Sequence, residues 1–334
     1  MEHDEHYMRR CIQIAKHSVG LAAPNPAVGC IIVFEDKIIG EGYTSPVGGA
    51  HAEVNALNTV QNKELLKRST LYVTLEPCSH HGKTPPCTDL IIKQGVRRVV
   101  IGCADPNPKV SGQGIKLLED SGCEVRIGIL KDVCRKHHHR FLSYFERHRP
   151  YIILKWAQTK SGFIAPKIKD DLKPVWISNL SSRQLTHKWR TEEQAILVGS
   201  KTVKDDNPSL TARLWHGRNP IRVVLGQIER LDKSAQIFDR SSGTIAIDTL
   251  QLDRKKPIAK QVCTLLYKKE INSILIEGGS KTINSFIKEN LWDEARVFTG
   301  LVDFDDGIKA PVLNIKPSDS YNISGDKLDY YFND

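Results

Sequence analysis

Two short segments carry the residues of this chain that are best suited to chemistry. The first contains His51 and Glu53, and the second contains Cys78 and Cys87 with eight residues between them. One imidazole and two thiolates are three zinc ligands, which leave the fourth tetrahedral position open for water. The remaining carboxylate can then move protons. The pattern predicts zinc at His51, Cys78 and Cys87 in a hydrolytic enzyme acting on an amino-substituted heterocycle, with Glu53 as the catalytic acid–base.

Two other kinds of zinc site have to be weighed against this one. A closed structural site would take His80 or His81 as its fourth ligand, but it would leave Glu53 without a role. A zinc-folded module that only binds a phosphorylated metabolite is the second alternative. Removing the metal would then unfold the protein, and ammonia would never be released.

Strand and helix patterns alternate around these residues. A helix is expected to begin near His51, and Cys87 is expected at the start of another helix, where the thiol pKa is lowered. Alternating elements predict an α/β fold with a partly parallel sheet, whose ligands gather at the carboxyl ends of the strands. We predict strands over residues 28–33, 37–43, 71–75, 98–101 and 124–127, and further helices over 7–18, 88–94 and 114–121.

The chain changes character near residues 148–150. Residues 130–147 are typical of a basic helix, and a metal site at His137, His138 and His139 is not expected, because adjacent residues splay around a helix. Residues 151–156 have the pattern of a strand that opens a second α/β domain. We therefore predict two domains, over 1–147 and 148–334.

Composition and charge narrow the class of protein. The 334 residues are 40% hydrophobic and 26% charged, as in ordinary globular domains. No secretory signal or membrane-spanning run is apparent, so we expect a cytoplasmic protein whose eight cysteines are thiols or ligands. The formal charge of +9 is spread evenly, with 20 basic against 16 acidic residues before residue 151 and 28 against 23 after it. Small phosphorylated ligands fit this balance better than nucleic acid or a membrane.

The motif around His51, Glu53 and Cys78 resembles the cytidine deaminase superfamily, which implies a three-layer sandwich. The long loop between the two cysteines, together with residues 24–29 and 105–108, resembles the bacterial bifunctional riboflavin-biosynthesis deaminase/reductases. That resemblance implies a diaminopyrimidinone substrate that carries a ribosylamino 5′-phosphate. It implies substrate-binding residues at Asn25, His80, Lys83, Asp105 and Asn107.

The residue types agree with this implication without requiring it. Lys83, between the ligands, is a suitable point charge for a phosphate, and the alternative is an exposed loop lysine. Asn25 and Asn107 can hydrogen-bond to the edge of a pyrimidine ring, or they can be turn residues beside prolines.

The second half resembles the reductase of the same enzymes, which implies a fold like dihydrofolate reductase and the cofactor NADPH. By position, Arg190, Leu210, Arg213 and Glu277 correspond to substrate contacts. The implied cofactor contacts are Trp156, Trp176, Thr202, Asp206, Gly279, Ser280, Lys281, Thr282, Ile283, Asn284 and Ser285. The chain departs from the family at Ser161, where an aspartate is usual, and at Pro174.

Two local features of the second half suit a reductase site. Residues 277–280 lie between a predicted strand and a predicted helix, where backbone amides suit a pyrophosphate, although two glycines alone are weak evidence. Two arginines are a natural clamp for a phosphate. Lys201 is a candidate partner for the additional phosphate of NADPH.

The sequence thus predicts two consecutive steps of riboflavin synthesis: zinc-dependent deamination of the pyrimidine, then reduction of the ribosyl group to a ribityl chain with NADPH. The resemblance also implies self-association through the reductase half. A nucleic-acid deaminase is the main competing enzyme class, and it would require a concentrated basic surface with steeply salt-dependent binding.

Overall fold

The computed structural model describes residues 2–80, 85–108, 110–168 and 175–333. It divides into two compact units, over residues 1–147 and 148–334. Each unit has its own hydrophobic core. Among the described residues, no helix is both long and apolar enough to cross a bilayer.

The described part of the first unit is built on one five-stranded sheet in the order β2-β1-β3-β4-β5. Its strands are β1 (Gly29–Phe34), β2 (Lys37–Tyr43), β3 (Thr70–Leu75), β4 (Arg98–Cys103) and β5 (Glu124–Ile127). Its helices are α1 (Glu2–Ala15), α2 (Ala52–Thr59), α3 (Cys87–Lys93), α4 (Gln113–Asp120), α5 (Lys131–His137) and α6 (His139–Arg147).

Strand direction decides where the site of this unit lies. β1 is antiparallel to both β2 and β3, whereas β3, β4 and β5 are mutually parallel. The carboxyl ends of β3 and β4, at Leu75 and Cys103, therefore lie side by side. The segments that follow them carry Cys78 and Asp105.

Helices pack closely on this sheet where glycine removes the side chain. A Cβ atom at Gly29 would lie 2.1 Å from the carbonyl oxygen of Cys11, so α1 rests directly on β1. A Cβ atom at Gly42 would lie 2.3 Å from the backbone nitrogen of Ala56, so α2 approaches β2 in the same way. This contact sets the position of His51 and Glu53 at the start of α2.

Two helix predictions for this unit were wrong in part. α1 begins at Glu2, earlier than the predicted residue 7. The single helix predicted over 130–147 is two helices that meet at His138. His138 is 2% exposed, and its Nε2 atom lies 3.0 Å from the hydroxyl of Thr74. The break accompanies this buried contact with the sheet, which hydrophobic periodicity does not encode.

The described part of the second unit contains an eight-stranded sheet in the order β10-β9-β8-β11-β6-β12-β15-β14 and a separate β7–β13 pair. Its strands are β6 (Tyr151–Gln158), β7 (Phe163–Pro166), β8 (Ala195–Gly199), β9 (Ile221–Gly226), β10 (Thr244–Asp248), β11 (Ser273–Ile276), β12 (Glu294–Thr299), β13 (Gly307–Lys309), β14 (Asp319–Ile323) and β15 (Asp326–Phe332). Its helices are α7 (Leu180–Glu192), α8 (Ser200–Asp206), α9 (Ile258–Lys268) and α10 (Ser280–Lys288).

The six strands from β10 to β12 are parallel, and β15 and β14 continue the sheet antiparallel. Alternate residues of β6 enter the two cores of the unit. Ile152 and Leu154 pack in one core, and Tyr151 and Ile153 pack in the other. A strand buried on both faces has a continuous apolar run, as residues 151–154 do. The charged residue that follows this run, Lys155, is consequently exceptional.

Candidate active sites

The three predicted zinc ligands converge in the first unit. The Nδ1 atom of His51 lies 3.5 Å from Sγ of Cys78 and 3.3 Å from Sγ of Cys87. Tetrahedral zinc with two sulfur ligands and one nitrogen ligand requires ligand atoms about 3.6 Å apart. The donor set and its spacing therefore fit a zinc ion.

Local structure explains how residues distant in sequence meet. His51 is the residue before the first turn of α2, Cys78 follows β3, and Cys87 is the first residue of α3. The backbone N–H of Cys87 donates to Sγ of Cys78 at 3.4 Å. Hydrogen bonds from Cys87 and His51 lower the pKa of Cys78 despite its burial, which favours the thiolate that a metal requires. The expected lowering at Cys87 was wrong: its hydrogen bond with Cys78, and then burial, raise the pKa of Cys87 although it begins a helix.

Glu53 lies beside the three ligand residues but is not part of the cluster that they form. Glu53 is 4% exposed. Burial, and then the negative charge of Cys78, raise the pKa of Glu53 to about 7. A carboxyl group with this pKa can both accept and release a proton near neutral pH.

The predicted substrate residues of this unit are only partly described. Asp105 is buried, and its Oδ1 atom accepts the backbone N–H of Asn107 at 2.7 Å. His80 is half-buried, and its Nδ1 atom is buried without a hydrogen-bond partner among the described residues. Asn25 is also half-buried, in the segment before β1. Lys83 lies outside the described residues, so the structure does not place it.

The closed zinc site has no support among the described residues. The cluster of possible ligands there consists of His51, Cys78 and Cys87, and His80 does not belong to it. His81 is not among the described residues.

In the second unit, a buried group of charges lies where β6 and β11 run side by side. Arg190 donates to both oxygens of Glu277, each at 2.8 Å, and the ammonium of Lys155 lies 4.0 Å from the same carboxylate. Although burial would raise it, the charges of Arg190 and Lys155 hold the pKa of Glu277 at about 2. Burial lowers the pKa of Lys155, and Glu277 opposes that effect.

The two predicted phosphate-clamp arginines differ in their surroundings. Arg190 is bound to Glu277, whereas Arg213 is exposed and donates to the hydroxyl of Ser209 at 2.6 Å. Leu210, between them in sequence, is buried with a φ of 55°. His187, one turn before Arg190 on α7, is also buried. Burial and the nearby arginines lower the pKa of His187 to about 4, so its imidazole is neutral.

Two helix starts meet at the predicted cofactor loop. The hydroxyl of Thr202, in α8, accepts the backbone N–H of Gly279 at 3.0 Å. A Cβ atom at Gly278 would lie 2.6 Å from the nitrogen of Gly199, so the two backbones can approach this closely only at glycine. The start of α10 therefore lies against the start of α8, an arrangement whose N–H groups suit an anion.

The remaining predicted cofactor residues have varied positions. Trp156 is 6% exposed in the core, and its indole N–H donates to Gln158 at 2.8 Å. Trp176 is 48% exposed, with the guanidinium of Arg183 over its ring at 4.6 Å. Asp206 is the last residue of α8. Along α10, Lys281 and Asn284 are exposed, Ser280, Thr282 and Ser285 are half-buried, and Ile283 is in the core.

Of the two departures from the family pattern, at Ser161 and Pro174, the structure describes only the first. The hydroxyl of Ser161 donates to Asp303 at 2.6 Å, so an aspartate from elsewhere in the chain meets the serine at this position. Pro174 lies outside the described residues.

Three residues at these sites escaped the sequence analysis. Glu76 is buried and accepts four backbone hydrogen bonds from the described residues. Lys155 is the charge inside a buried strand, and His187 is buried near the two arginines. Only Lys155 gave a signal, as a lysine directly after four apolar residues. The partners of the other two are remote in sequence or on the backbone.

Comparisons with known proteins agree with this geometry. The family "Cytidine and deoxycytidylate deaminase zinc-binding region" matches residues 1–103, and "RibD C-terminal domain" matches residues 150–300. The riboflavin biosynthesis protein RibD of Aquifex aeolicus is 37% identical over 331 residues, covering 94% of this chain and 92% of that protein. This chain belongs to the RibD family.

Solved structures of RibD proteins match both units. The Thermotoga maritima enzyme, a diaminohydroxyphosphoribosylaminopyrimidine deaminase/5-amino-6-(5-phosphoribosylamino)uracil reductase, superposes with a TM-score of 0.90 at 35% identity, covering 100% of this chain and 99% of that one. RibD from Acinetobacter baumannii gives 0.89 at 30% identity, covering 99% of each chain. The predicted fold class is confirmed: a cytidine-deaminase-like domain precedes a RibD reductase domain.

Membership in the RibD family also confirms the predicted activity class. The protein is a bifunctional enzyme of riboflavin biosynthesis, with a zinc-binding deaminase domain and a reductase domain. Its substrate is a small molecule.

Proposed function

We propose that the 1–147 unit removes an amino group from the diaminopyrimidine ribosylamino phosphate on which the T. maritima relative acts, and that the 148–334 unit then reduces the ribosyl group with NADPH. The single observation that carries the first half is the convergence of His51, Cys78 and Cys87 beside the buried carboxyl of Glu53. Three ligands and a separate carboxyl group suit metal-assisted hydrolysis. A closed structural site would have no use for that carboxyl group.

In the deaminase site, the chain's own residues would hold the metal and move protons. Zinc bound at His51, Cys78 and Cys87 would supply a Lewis acid and a bound water of lowered pKa. Glu53, with a pKa of about 7, would take a proton from the attacking water and pass it to the departing ammonia. Asn25, His80, Lys83, Asp105 and Asn107 would bind the ring and the phosphate of the substrate.

In the reductase site, the buried charges would bind and orient the deaminated product. NADPH would supply the hydride. Its pyrophosphate would be bound at the adjoining starts of α8 and α10, around Thr202 and Gly279. Arg213, which is exposed and hydrogen-bonded to Ser209, is available to bind the substrate phosphate. Glu277 and Lys155 would face the sugar and the pyrimidine carbonyl groups, as a fixed anion and cation.

The remaining cofactor residues proposed on family position are Trp156, Trp176, Asp206 and 280–285, and Leu210 and Arg190 are proposed for the substrate. The core positions of Trp156 and Ile283 suggest that they shape the site through packing. We also propose that the protein acts on small phosphorylated pyrimidines and not on nucleic acid, since its charge is evenly distributed. Self-association through the reductase unit remains part of the proposal.

One experiment tests the whole proposal. The purified, zinc-loaded protein is incubated with the diaminopyrimidine phosphate, with and without NADPH. We expect ammonia in both cases, and NADPH oxidation only after ammonia release. Absence of ammonia would exclude the deaminase, and ammonia without any NADPH oxidation would exclude the reductase. A nucleic-acid deaminase would instead act on single-stranded RNA, with an affinity that falls steeply with salt.

A further inference from the structure

Glu76, immediately after β3, has an unusual set of partners. Glu76 is 4% exposed, and its side chain accepts four backbone hydrogen bonds from the described residues. Oε2 accepts the N–H groups of Asp105 and Gly112, both at 3.2 Å. Oε1 accepts the N–H groups of Gly114 at 3.1 Å and Ile115 at 3.4 Å. One carboxylate thus binds two separate stretches of backbone.

The first of these stretches is a tight turn that begins at Asp105. Its side chain accepts the N–H of Asn107 at 2.7 Å. The carbonyl oxygen of Asn107 in turn accepts the N–H groups of Val110 at 2.8 Å and Ser111 at 2.9 Å. We call residues 105–107 the Asp105 turn. Both of its polar side chains are proposed substrate contacts, so their positions depend on where this turn is held.

The second stretch is the start of α4. Its N-cap position is Gly112, which has no side chain with which to cap the helix. The carboxylate of Glu76 supplies the missing acceptor for the first N–H groups of the helix. The positive end of the helix dipole also favours a negative charge here.

Steric contact strengthens the same junction. A Cβ atom at Gly114 would lie 2.2 Å from the carbonyl oxygen of Pro77, the residue between Glu76 and Cys78. The start of α4 therefore lies directly against the segment that leads to a zinc ligand. Any side chain larger than hydrogen at this position would displace one of the two segments.

We propose that Glu76 is a positioning residue for deamination: it fixes the Asp105 turn against the segment that carries Cys78, and so sets the affinity of the site for the pyrimidine. This inference rests on the proposed function of that site. Glu76 acts on the substrate through Asp105 and Asn107, and makes no contact with the reacting atoms in its own right.

The test is Glu76→Gln in the full-length, zinc-loaded protein. The amide keeps the size of the side chain but replaces one oxygen with a donor, so two of the four N–H groups lose their acceptor. We expect zinc content equal to that of the parent, a KM for the diaminopyrimidine phosphate raised at least about tenfold, and a much smaller change in kcat. NADPH oxidation with deaminated substrate should be unchanged. An unchanged KM, or loss of zinc, would overturn the proposal.

A matched control separates positioning from general destabilisation. Asp4 is also buried in the first unit and is bound by Tyr72, Arg98 and Arg126, at the opposite end of β4 from the site. Asp4→Asn should lower stability while leaving KM at the parental value. A KM that rises equally in Asp4→Asn would show that Glu76 acts only through stability, and would overturn the proposal.

Two further measurements keep the inference testable. If Glu76→Gln does not fold, Gly114→Ala is the alternative test. Displacing the start of α4 should raise KM for the diaminopyrimidine phosphate, and an unchanged KM would overturn the proposal. In a double-mutant cycle for KM, Glu76→Gln and Asn107→Ala should be strongly non-additive, because both remove the same substrate contact. Additive effects would mean that Glu76 does not act through the turn.

Hydrogen exchange distinguishes this inference from the proposed function. The amides of Asp105, Gly112, Gly114 and Ile115 should exchange faster in Glu76→Gln than in the parent, and unchanged exchange overturns the inference whatever the activity. If the parent protein itself releases no ammonia, it is the proposed function that fails.

Discussion

Arg190 and Glu277 form two parallel hydrogen bonds, Nε to Oε1 and Nη2 to Oε2, each 2.8 Å long. The pair joins α7 to the segment after β11, and both side chains are about nine-tenths buried, at 11% and 8% exposure. A planar pair of this kind fixes orientation as well as charge. Arg213, the other arginine of the predicted phosphate clamp, has no carboxylate partner among the described residues.

Glu277→Gln should damage the reductase selectively. The substitution leaves Lys155 and Arg190 buried without their common counter-charge, which disfavours the bound geometry. We expect kcat/KM for NADPH oxidation, measured with substrate already deaminated, to fall by about 10²-fold or more, the cost of breaking a buried ion pair. Ammonia release serves as the control and should stay at the parental rate. Retention of full reductase activity would exclude a role for this carboxylate.

Cys78→Ser should remove zinc and deamination together, because a serine hydroxyl is a poor replacement for a thiolate ligand. Elemental analysis of the purified variant is expected to show far less than one zinc per chain. Cys123→Ser is the matched control: Cys123 is buried in the same unit but donates to the carbonyl of Val96. Full zinc occupancy in Cys78→Ser would refute the ligand assignment.

Glu53→Gln should separate metal binding from proton transfer. The amide preserves size but cannot act as a base, so zinc content should be unchanged while ammonia release falls by about 10²–10⁴-fold. The residues proposed for the reductase site do not include Glu53, so the variant should still oxidise NADPH when given deaminated substrate. Normal deamination by this variant would refute the catalytic assignment.

Thr202→Val should weaken cofactor binding. The variant keeps the shape of the side chain but removes the hydroxyl that accepts the N–H of Gly279. We expect KM for NADPH to rise several-fold, while ammonia release is unaffected.

The parent protein should use NADPH more efficiently than NADH, a comparison that tests the proposed cofactor directly. Equal efficiency with the two cofactors would contradict the proposed preference.

Asp4→Asn should reduce stability at neutral pH and remove part of the acid sensitivity of the first unit. Burial alone would raise the pKa of Asp4, but Arg98, Tyr72 and Arg126 outweigh it and lower the pKa. A carboxyl with a lowered pKa stabilises the fold above its unfolded pKa of about 3.9, and this contribution is lost as the pH falls below that value.

Urea unfolding measures both parts of this prediction. At pH 7 the variant should lose about 1–3 kcal/mol of unfolding free energy. Below about pH 4 the difference between variant and parent should shrink. A difference that stays constant between pH 7 and pH 3 would show that the charge of Asp4 contributes nothing.

Sequence patterns predicted what depends on near neighbours. β2 and β5 have the predicted bounds, and His51 and Cys87 lie at helix starts as expected. Residue types alone were enough to suggest a zinc ligand set. These features are local, since strand alternation, helix periodicity and ligand chemistry are each legible within a few residues.

Features that depend on remote partners could not be predicted in this way. Glu76 binds backbone groups 29 to 39 positions away, and backbone donors leave no trace in residue identity. The break at His138 likewise depends on Thr74, 64 positions earlier. The burial of the charged Lys155 is explained only by the pairing of β11 with β6, because the segment after β11 places the carboxylate of Glu277 4.0 Å from the lysine ammonium.

Because β3 and β4 are parallel, the segments that follow them lie at the same edge of the first sheet. The segment after β3 carries Cys78, a proposed zinc ligand, and also the proposed substrate residue His80, whereas the segment after β4 carries Asp105 and Asn107, which are proposed to contact the pyrimidine. On the proposed function, the segment after β4 holds residues for the ring but no metal ligand. Exchanging residues 105–107 should therefore change which heterocycle the enzyme accepts while the three proposed zinc ligands stay in place.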